Sequence, residues 1–351
     1  MTKPHVFSDT HHAGLYASLH YLLENRLGFE LYRPIGIDWF TEGYWKIAEP
    51  YNNNPATVKQ YLEIRSTAED GTVPLNEVEH TTQEGIYHTW DYNNEYYQKA
   101  ITLDKFKSMD FDFIIASIPA HIDAYKKLIK DTGSKAKLIY QMGNIGWHEN
   151  IPWDKIDNVM ASVKEFPVPT GKNVVFYRQE FDTELFNQTD SRDSFTISSF
   201  VNCLPNPELF LQLEGLLPEY SFKSFGITCR DGIKHSVREI AKEMASASWG
   251  YHFKPYGDGF GHIIHNWMCA GKPILVNLDD YKDKLAGELL EDMVTCVDIS
   301  HRDVVKTAGI VRELQEKGYE DMRKNIYKRF SEVVDYKKDA ENVRAFLGSA
   351  K

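Results

Sequence analysis

Residues 252–277 read HFKPYGDGFGHIIHNWMCAGKPILVN, and the fold of the chain follows from how this stretch is divided. Gly257, Gly259 and Gly261 alternate with Asp258 and Phe260, a helical pattern follows at once, and Gly271-Lys272-Pro273 leads into the apolar run ILV. Closely spaced glycines let backbone N–H groups approach a ligand, and a helix starting behind them points its positive dipole end the same way. The pattern predicts strand, glycine turn, helix, strand, with an anion-binding loop between the first two elements.

Working outward, the same alternation continues in both directions. On the N-terminal side of the turn, residues 195–201, 220–226 and 248–253 read as strands, and 207–217 and 236–247 as helices; residues 273–277 form the next strand. From 304 to 347 the rhythm is almost wholly helical. The first half opens with the strand HVFSD at 5–9, a loop at 10–14, and a helix carrying Leu15, Leu19, Leu22 and Leu23, closed by Gly28. Residues 29–34 form the next strand, so the chain begins β-loop-α-β, the start of a parallel sheet. Residues 36–100 are rich in Tyr, Trp, Asn and Glu, with turn clusters at 51–55 and 91–95, and read as an insertion of loops and short helices. Strand patterns return at 111–117, 136–141, 158–162 and 173–177, with a helix at 121–130. The sequence turns polar at 180–192, which marks a domain boundary. The expected division is 1–180, with the insertion at about 36–100, then 181–330, and a C-terminal helix at 331–351 that returns to the first domain.

Composition narrows the function classes. With 42% hydrophobic and 26% charged residues, the chain is a globular protein rather than a disordered or fibrous one. It contains no apolar run long enough for a membrane-spanning helix, and MTKPHVFSDTHH has no signal-peptide core, which predicts a cytoplasmic location. A net charge of −11 disfavours a large nucleic-acid surface, and the mild basic cluster at 126–137 reads as a solvated helix face. Cys203, Cys229, Cys269 and Cys296 are dispersed with no CxxC pair, which argues for reduced thiols over zinc or disulfides.

Two successive αβ domains, a glycine loop after the first strand and a terminal helical stretch resemble the plan of GT-B glycosyltransferases. The segment 258–274, DGFGHIIHNWMCAGKPI, is similar to the donor-binding signature of their group 1, glycogen-synthase-like members: Glu-Gly-Phe-Gly, a second Glu eight positions after the first, then Ala-x-Gly-x-Pro-Val/Ile. Both glutamate positions differ here, to Asp258 and Asn266. The resemblance is specific over this segment and architectural elsewhere. It implies an α/β fold of GT-B type, two Rossmann-like domains facing each other across a cleft, and a nucleotide sugar as co-substrate without a further cofactor or metal. A UDP-sugar is the first expectation and a GDP-sugar the second. The second glutamate of the signature binds the nucleotide ribose, so its replacement by Asn266 bears on donor identity.

Such a transfer needs the leaving diphosphate stabilised and an acceptor hydroxyl placed on the anomeric carbon. The donor-side candidates are Gly14, Arg230, Lys254, Asp258, Gly259, Phe260, Gly261, His262 and Asn266. Lys254 is the preferred cation, because it stands at a strand end directly before the turn. Asp9, His11 and His12, in the loop after the first strand, are the candidate catalytic residues: an acid that orients an imidazole base suits an inverting transfer. Gly143 and Asn144 are acceptor-side candidates, with His148 beyond them, and the insertion aromatics Trp39, Tyr44, Trp45, Tyr87, Trp90, Tyr92, Tyr96 and Tyr97 suit either core filling or stacking on rings. Asp279-Asp280 follows a strand but lies beyond the donor loop, and no metal site is expected. The acceptor is a saccharide or another hydroxyl. Alternatives are a virus-type glucosyltransferase acting on hydroxymethylated DNA, which the acidic charge disfavours, a GT-B-like protein that only binds nucleotide or glycan, and an epimerase of the same plan.

Overall fold

The computed structural model describes residues 3–10, 12–34, 76–79, 85–91, 93–101, 103–143, 151–164, 167–187, 192–201, 206–226 and 228–350. The chain divides into two compact units, one of Met1–Ser162, Phe166–Phe181 and Tyr336–Lys351, the other of Val163–Glu165 and Asp182–Asp335.

In the first unit β1 (His5–Ser8), α1 (Ala13–Leu19), β2 (Glu30–Pro34), β3 (Asn76–Glu79), β4 (Ile86–Asp91), β5 (Tyr96–Ile101), α2 (Leu103–Ser108), β6 (Phe113–Ala116), α3 (Ile122–Thr132), β7 (Lys137–Met142), β8 (Asn158–Ala161) and β9 (Asn173–Phe176) follow in order. The sheet order is β3-β4-β5-β2-β1-β6-β7-β8-β9. From β5 to β9 neighbouring strands are parallel, whereas β4 runs antiparallel to β3 and β5. Strands buried on both faces read as unbroken apolar runs, and FIIA and the VMA of β8 are of that kind. The chain builds outward from β1 to β2, then returns to lay β6 on the other side of β1, so the sheet has its switch point between β1 and β6. The helix α3 buries Ile122 and Tyr125 and stops at Gly133, whose φ of 66° allows its own N–H and that of Ser134 to close on Lys130 and Ile129 carbonyls. The C-terminal helix Tyr336–Ser349 belongs to this unit: Val343, Phe346 and Leu347 share its core with Val6, Leu19 and Ile139.

Within 36–100 the structure corrects the expectation of loops and short helices. The described residues there are β3, β4 and β5, a meander that widens the sheet. The segments IYHTWD and YYQKAI are aromatic and β-branched, Trp90 faces Tyr97 across the strands with rings 4.8 Å apart, and the Asp91 carboxylate accepts from Asn93 N and Asn94 N to form the turn between them. Trp39, Tyr44, Trp45 and Tyr92 lie outside the described residues.

The second unit runs α4 (Thr183–Phe186), β10 (Thr196–Phe200), α5 (Pro207–Leu216), β11 (Ser221–Phe225), α6 (Val237–Ser246), β12 (Trp249–His252), α7 (His262–Cys269), β13 (Ile274–Val276), β14 (Cys296–Asp298), α8 (Val304–Lys317) and α9 (Tyr319–Val333). Its sheet is parallel throughout, in the order β11-β10-β12-β13-β14, with the switch point between β10 and β12. Local chemistry sets the helix starts: Asn206 caps α5 ahead of Pro207, Ser236 caps α6 by accepting from Glu239 N, and Asp303 caps α8 by accepting from Val305 N and Lys306 N. The fully buried Trp267 of α7 lies so close under β12 that a Cβ on Gly250 would be 2.7 Å from the indole, which fixes α7 against the strand preceding it.

Candidate functional site

In the second unit β12 ends at His252, and the chain then makes the turn 253–261 before α7 begins. Three residues of this turn have left-handed backbone: Tyr256 at φ 67°, Gly257 at 67° and Gly261 at 83°. At Gly257 a Cβ would lie 2.6 Å from the Asp280 carbonyl oxygen, and at Gly261 it would lie 2.8 Å from Ala286 Cβ, so both positions need glycine for space as well as conformation. Gly259 and Phe260 are buried, and the Phe260 ring stacks on His265 at 4.1 Å and meets His262 edge-on at 5.0 Å.

Side chains from the segment after β13 brace the turn. Asn277 accepts from Lys254 N and donates to Lys254 O, Asp280 accepts from Tyr256 N, and Lys284 donates to Tyr256 O at 2.5 Å. Under the turn lies a cluster centred on Asp258. Its Oδ1 is 2.5 Å from Lys254 Nζ, and its Oδ2 is 2.7 Å from His252 Nε2 and accepts from the Tyr281 hydroxyl at 3.1 Å. Burial by itself would push the Asp258 carboxyl up, but His252 and Lys254 beside it outweigh that and hold it well below the usual carboxylate range. Asp258 is therefore an anion that fixes the turn from beneath. Lys254 stands at the C-terminal end of β12, next to the switch point, as the sequence predicts.

The remaining donor-side candidates are distributed as follows. His262 opens α7, and Asn266 follows one turn later, buried, with no hydrogen-bond partner for Oδ1 among the described residues. Arg230 sits in the segment after β11 and forms a two-pronged pair with Glu214 of α5, both at 2.8 Å, and donates to the Phe222 carbonyl. Its guanidinium serves the packing of α5 on β11. Gly14, in the first turn of α1, belongs to the first unit.

In the first unit Asp9 follows β1 and is wholly buried. Its Oδ1 accepts from Ser117 N at 2.6 Å, and its Oδ2 lies 2.8 Å from Nδ1 of His121, in the segment after β6. The acid thus orients an imidazole across the switch point of this sheet, and the imidazole is His121, which sequence reasoning missed. His12 is exposed and caps α1, its Nδ1 accepting from Leu15 N at 3.3 Å; His11 lies outside the described residues. Gly143 follows β7, a Cβ there would overlap Leu15, and its carbonyl accepts from Gln179; Asn144 and His148 lie outside the described residues. A buried polar chain runs along the carboxyl edge of the same sheet, from Thr10 to Gln141, to the Tyr177 hydroxyl, and, through Ser162, to Gln179. Burial pushes the Tyr177 phenol up to about 12, so it stays a neutral hydroxyl there, accepting from Gln141 Nε2.

Among the described residues no group of three or more His, Cys, Asp or Glu side chains is arranged to hold a metal ion, and no helix is long and apolar enough to cross a membrane. Cys229, Cys269 and Cys296 are free thiols.

No protein-family model and no curated protein sequence matches this chain. Solved structures do. HepE from Anabaena, in complex with UDP and glucose, superimposes with a TM-score of 0.59 at 12% identity, over 99% of this chain and 100% of HepE. Sucrose-phosphate synthase from Thermosynechococcus elongatus gives 0.59 at 10% identity over 98% of each chain. A glycosyltransferase from Rickettsia africae gives 0.56 at 10% identity over 100% of both. At such identities the shared property is the fold.

Proposed function

The chain has the GT-B fold of glycosyltransferases, and on that fold we propose that it moves a sugar from a nucleoside-diphosphate sugar, first of all a UDP-sugar, to an acceptor hydroxyl. The observation that carries this reading is the turn 253–261: its left-handed glycines, Lys254 at its start and the helix α7 behind it form an anion cradle at the switch point of a parallel sheet. Structures of HepE hold UDP and UDP-glucose, which supports uridine as the nucleoside and leaves a GDP-sugar as the second candidate.

In this reading the diphosphate accepts from backbone N–H groups at the turn and from Lys254, so the developing charge on the leaving group is met by fixed dipoles and an ammonium, with no metal needed. His262 and Asn266 contact the rest of the donor. On the first unit the loop with Asp9, His11, His12 and Gly14, together with Gly143 and Asn144, receives the acceptor, and Asp9 fixes the ring of His121 so that its Nδ1–H points inward. The acidic balance of the chain favours a saccharide or small hydroxyl acceptor over DNA.

Purified protein titrated with UDP, UDP-glucose, GDP, ADP, CDP and TDP tests this. A ligand present at a hundred times its Kd stabilises the folded state by about 2.7 kcal/mol, which corresponds to a melting shift of roughly 5–10 °C for a unit of this size. A selective shift with the uridine ligands, undiminished by a chelator, is the expected result. No shift with any nucleotide or nucleotide sugar sinks the donor assignment.

A further inference from the structure

Four non-glycine residues have left-handed backbone among the described residues: Glu95, Phe195, Tyr256 and Met293. Three of them have a local use. Glu95 N donates to Asp91 O in the turn between β4 and β5, the Phe195 ring packs on Tyr220 at 5.3 Å, and Met293 N donates to Cys296 O just before β14. Tyr256 differs. At φ 67° its backbone is held on both sides, its N–H by the Asp280 carboxylate and its carbonyl by the buried Lys284, yet the residue is 78% exposed.

Left-handed backbone is strained for a residue with a Cβ, and glycine or asparagine at the same place relieves most of that strain. Burial of the tyrosine does not offset it, because the ring stands in solvent. The fold therefore needs the backbone conformation at 256 but not this side chain, and strain held beside a ligand loop is a property of ligand clamps. The location is specific. Tyr256 stands two residues after Lys254 and two before Asp258, so its Cα lies within about 7 Å of each of theirs. A diphosphate seated on this turn carries the hexose bonded directly to it, whereas uracil is a ribose further away. A pyranose presents a face of C–H groups, and a tyrosine offers a flat apolar ring with a polar tip to match it.

We propose that Tyr256 is a specificity-determining residue of the donor site, its ring stacking on the apolar face of the hexose to be transferred. The bonds from Asp280 and Lys284 fix the backbone that carries the ring, so binding orders one side chain and not a loop. The proposal rests on the donor reading above and adds to it a contact to the sugar that the diphosphate cradle does not supply.

The test is calorimetric titration of the full chain with UDP and with UDP-glucose, for wild type, Tyr256→Asn and Tyr256→Phe, together with the melting temperature of each unliganded protein. Asparagine accepts left-handed backbone, so Tyr256→Asn is expected to melt about 2–4 °C higher than wild type. The same variant should bind UDP-glucose about 2- to 12-fold more weakly, the equivalent of one ring-stacking contact, and UDP as wild type does. Tyr256→Phe keeps the ring and should retain wild-type affinity for both. The opposite signs are diagnostic: a tyrosine that only packed the turn would lose stability and both affinities together. Unchanged UDP-glucose affinity in Tyr256→Asn overturns the proposal and leaves the donor reading standing, as does an equal loss for UDP, which would put the ring on the nucleoside. A lower melting temperature in Tyr256→Asn overturns the strain argument and the proposal with it. If wild type binds neither ligand, the donor reading itself falls.

Discussion

Gly261→Ala compared with Gly232→Ala separates the two reasons for glycine in the turn 253–261. Both positions lie in the second unit and both have left-handed backbone, φ 83° at Gly261 and 77° at Gly232. They differ in surroundings: a Cβ on Gly232 meets nothing within 4 Å, whereas one on Gly261 would lie 2.8 Å from Ala286 Cβ. Left-handed strain should destabilise either variant by about 1–2 kcal/mol. At Gly261 the new carbon also lies well inside the optimal carbon–carbon separation of about 3.5–4.0 Å. The turn Ala286–Leu289 must then shift, at a further cost of about 1–3 kcal/mol. Urea denaturation followed by hydrogen exchange of peptides from β12 and β13 should therefore rank Gly261→Ala well below Gly232→Ala. Because Gly261 opens α7, its displacement also misaligns the N–H groups that the proposed donor reading points at the diphosphate. Loss of one hydrogen bond to a charged oxygen, about 1.5–3 kcal/mol, weakens UDP-glucose binding by a factor of about 10–150, and Gly232→Ala should leave it unchanged. Equal destabilisation would refute the close approach to Ala286. Equal affinity in the two variants would refute the turn as the anion cradle.

Lys254→Ala removes the cation assigned to the diphosphate and should weaken UDP-glucose binding by a similar factor of about 10–150, read by calorimetry; unchanged affinity would remove Lys254 from the site. In the first unit Glu24 lies 2.6 Å from His20 Nδ1 and 2.9 Å from Lys99 Nζ, and it accepts from Leu31 N. Burial pushes its carboxyl up, but these partners together hold it down to about 2. A folded value below the unfolded one stabilises fully above about pH 5 and fades as pH falls toward the folded value. Melting temperature should therefore drop more steeply between about pH 5 and pH 3 in wild type than in Glu24→Gln, and parallel curves would show that Glu24 contributes nothing.

The alternation of strands and helices was legible because parallel strands covered on both faces leave unbroken apolar words such as ILV and FIIA, and because Ser236, Asp303, Pro207 and Gly133 punctuate the helices. The glycine turn was legible for the same local reason. The hairpin of β4 and β5 was not, because Asp91, Gln98 and Lys99 interrupt its aromatics with polar groups that the fold satisfies: Asp91 binds Gln98, and Lys99 reaches Glu24. The three-residue strand β14 is too short to show a period. The Asp9–His121 pair joins residues 112 positions apart, so nothing local to either one announces it. Sequence reading pairs Asp9 with His11 or His12 of its own loop; the structure pairs it with His121, which the order β1-β6 in the sheet brings beside it.

The two departures from the group 1 signature become intelligible once the turn is seen from beneath. Asp258 is one methylene shorter than glutamate, and its carboxylate reaches inward to His252, Lys254 and Tyr281. Its charge fixes the backbone of the turn instead of facing a ligand. At Asn266 an amide stands on the buried face of α7, which avoids the heavy penalty of placing a second carboxylate there. Its Oδ1 lacks a partner among the described residues, and an orphan acceptor of that kind costs about 1–3 kcal/mol until something donates to it. On the donor reading that donor is a ligand hydroxyl, so part of the binding energy comes from relieving a defect already present in the free protein. On that reading affinity rests on backbone N–H groups, one ammonium and one amide, while the anionic side chain nearest the turn is tied to His252, Lys254 and Tyr281.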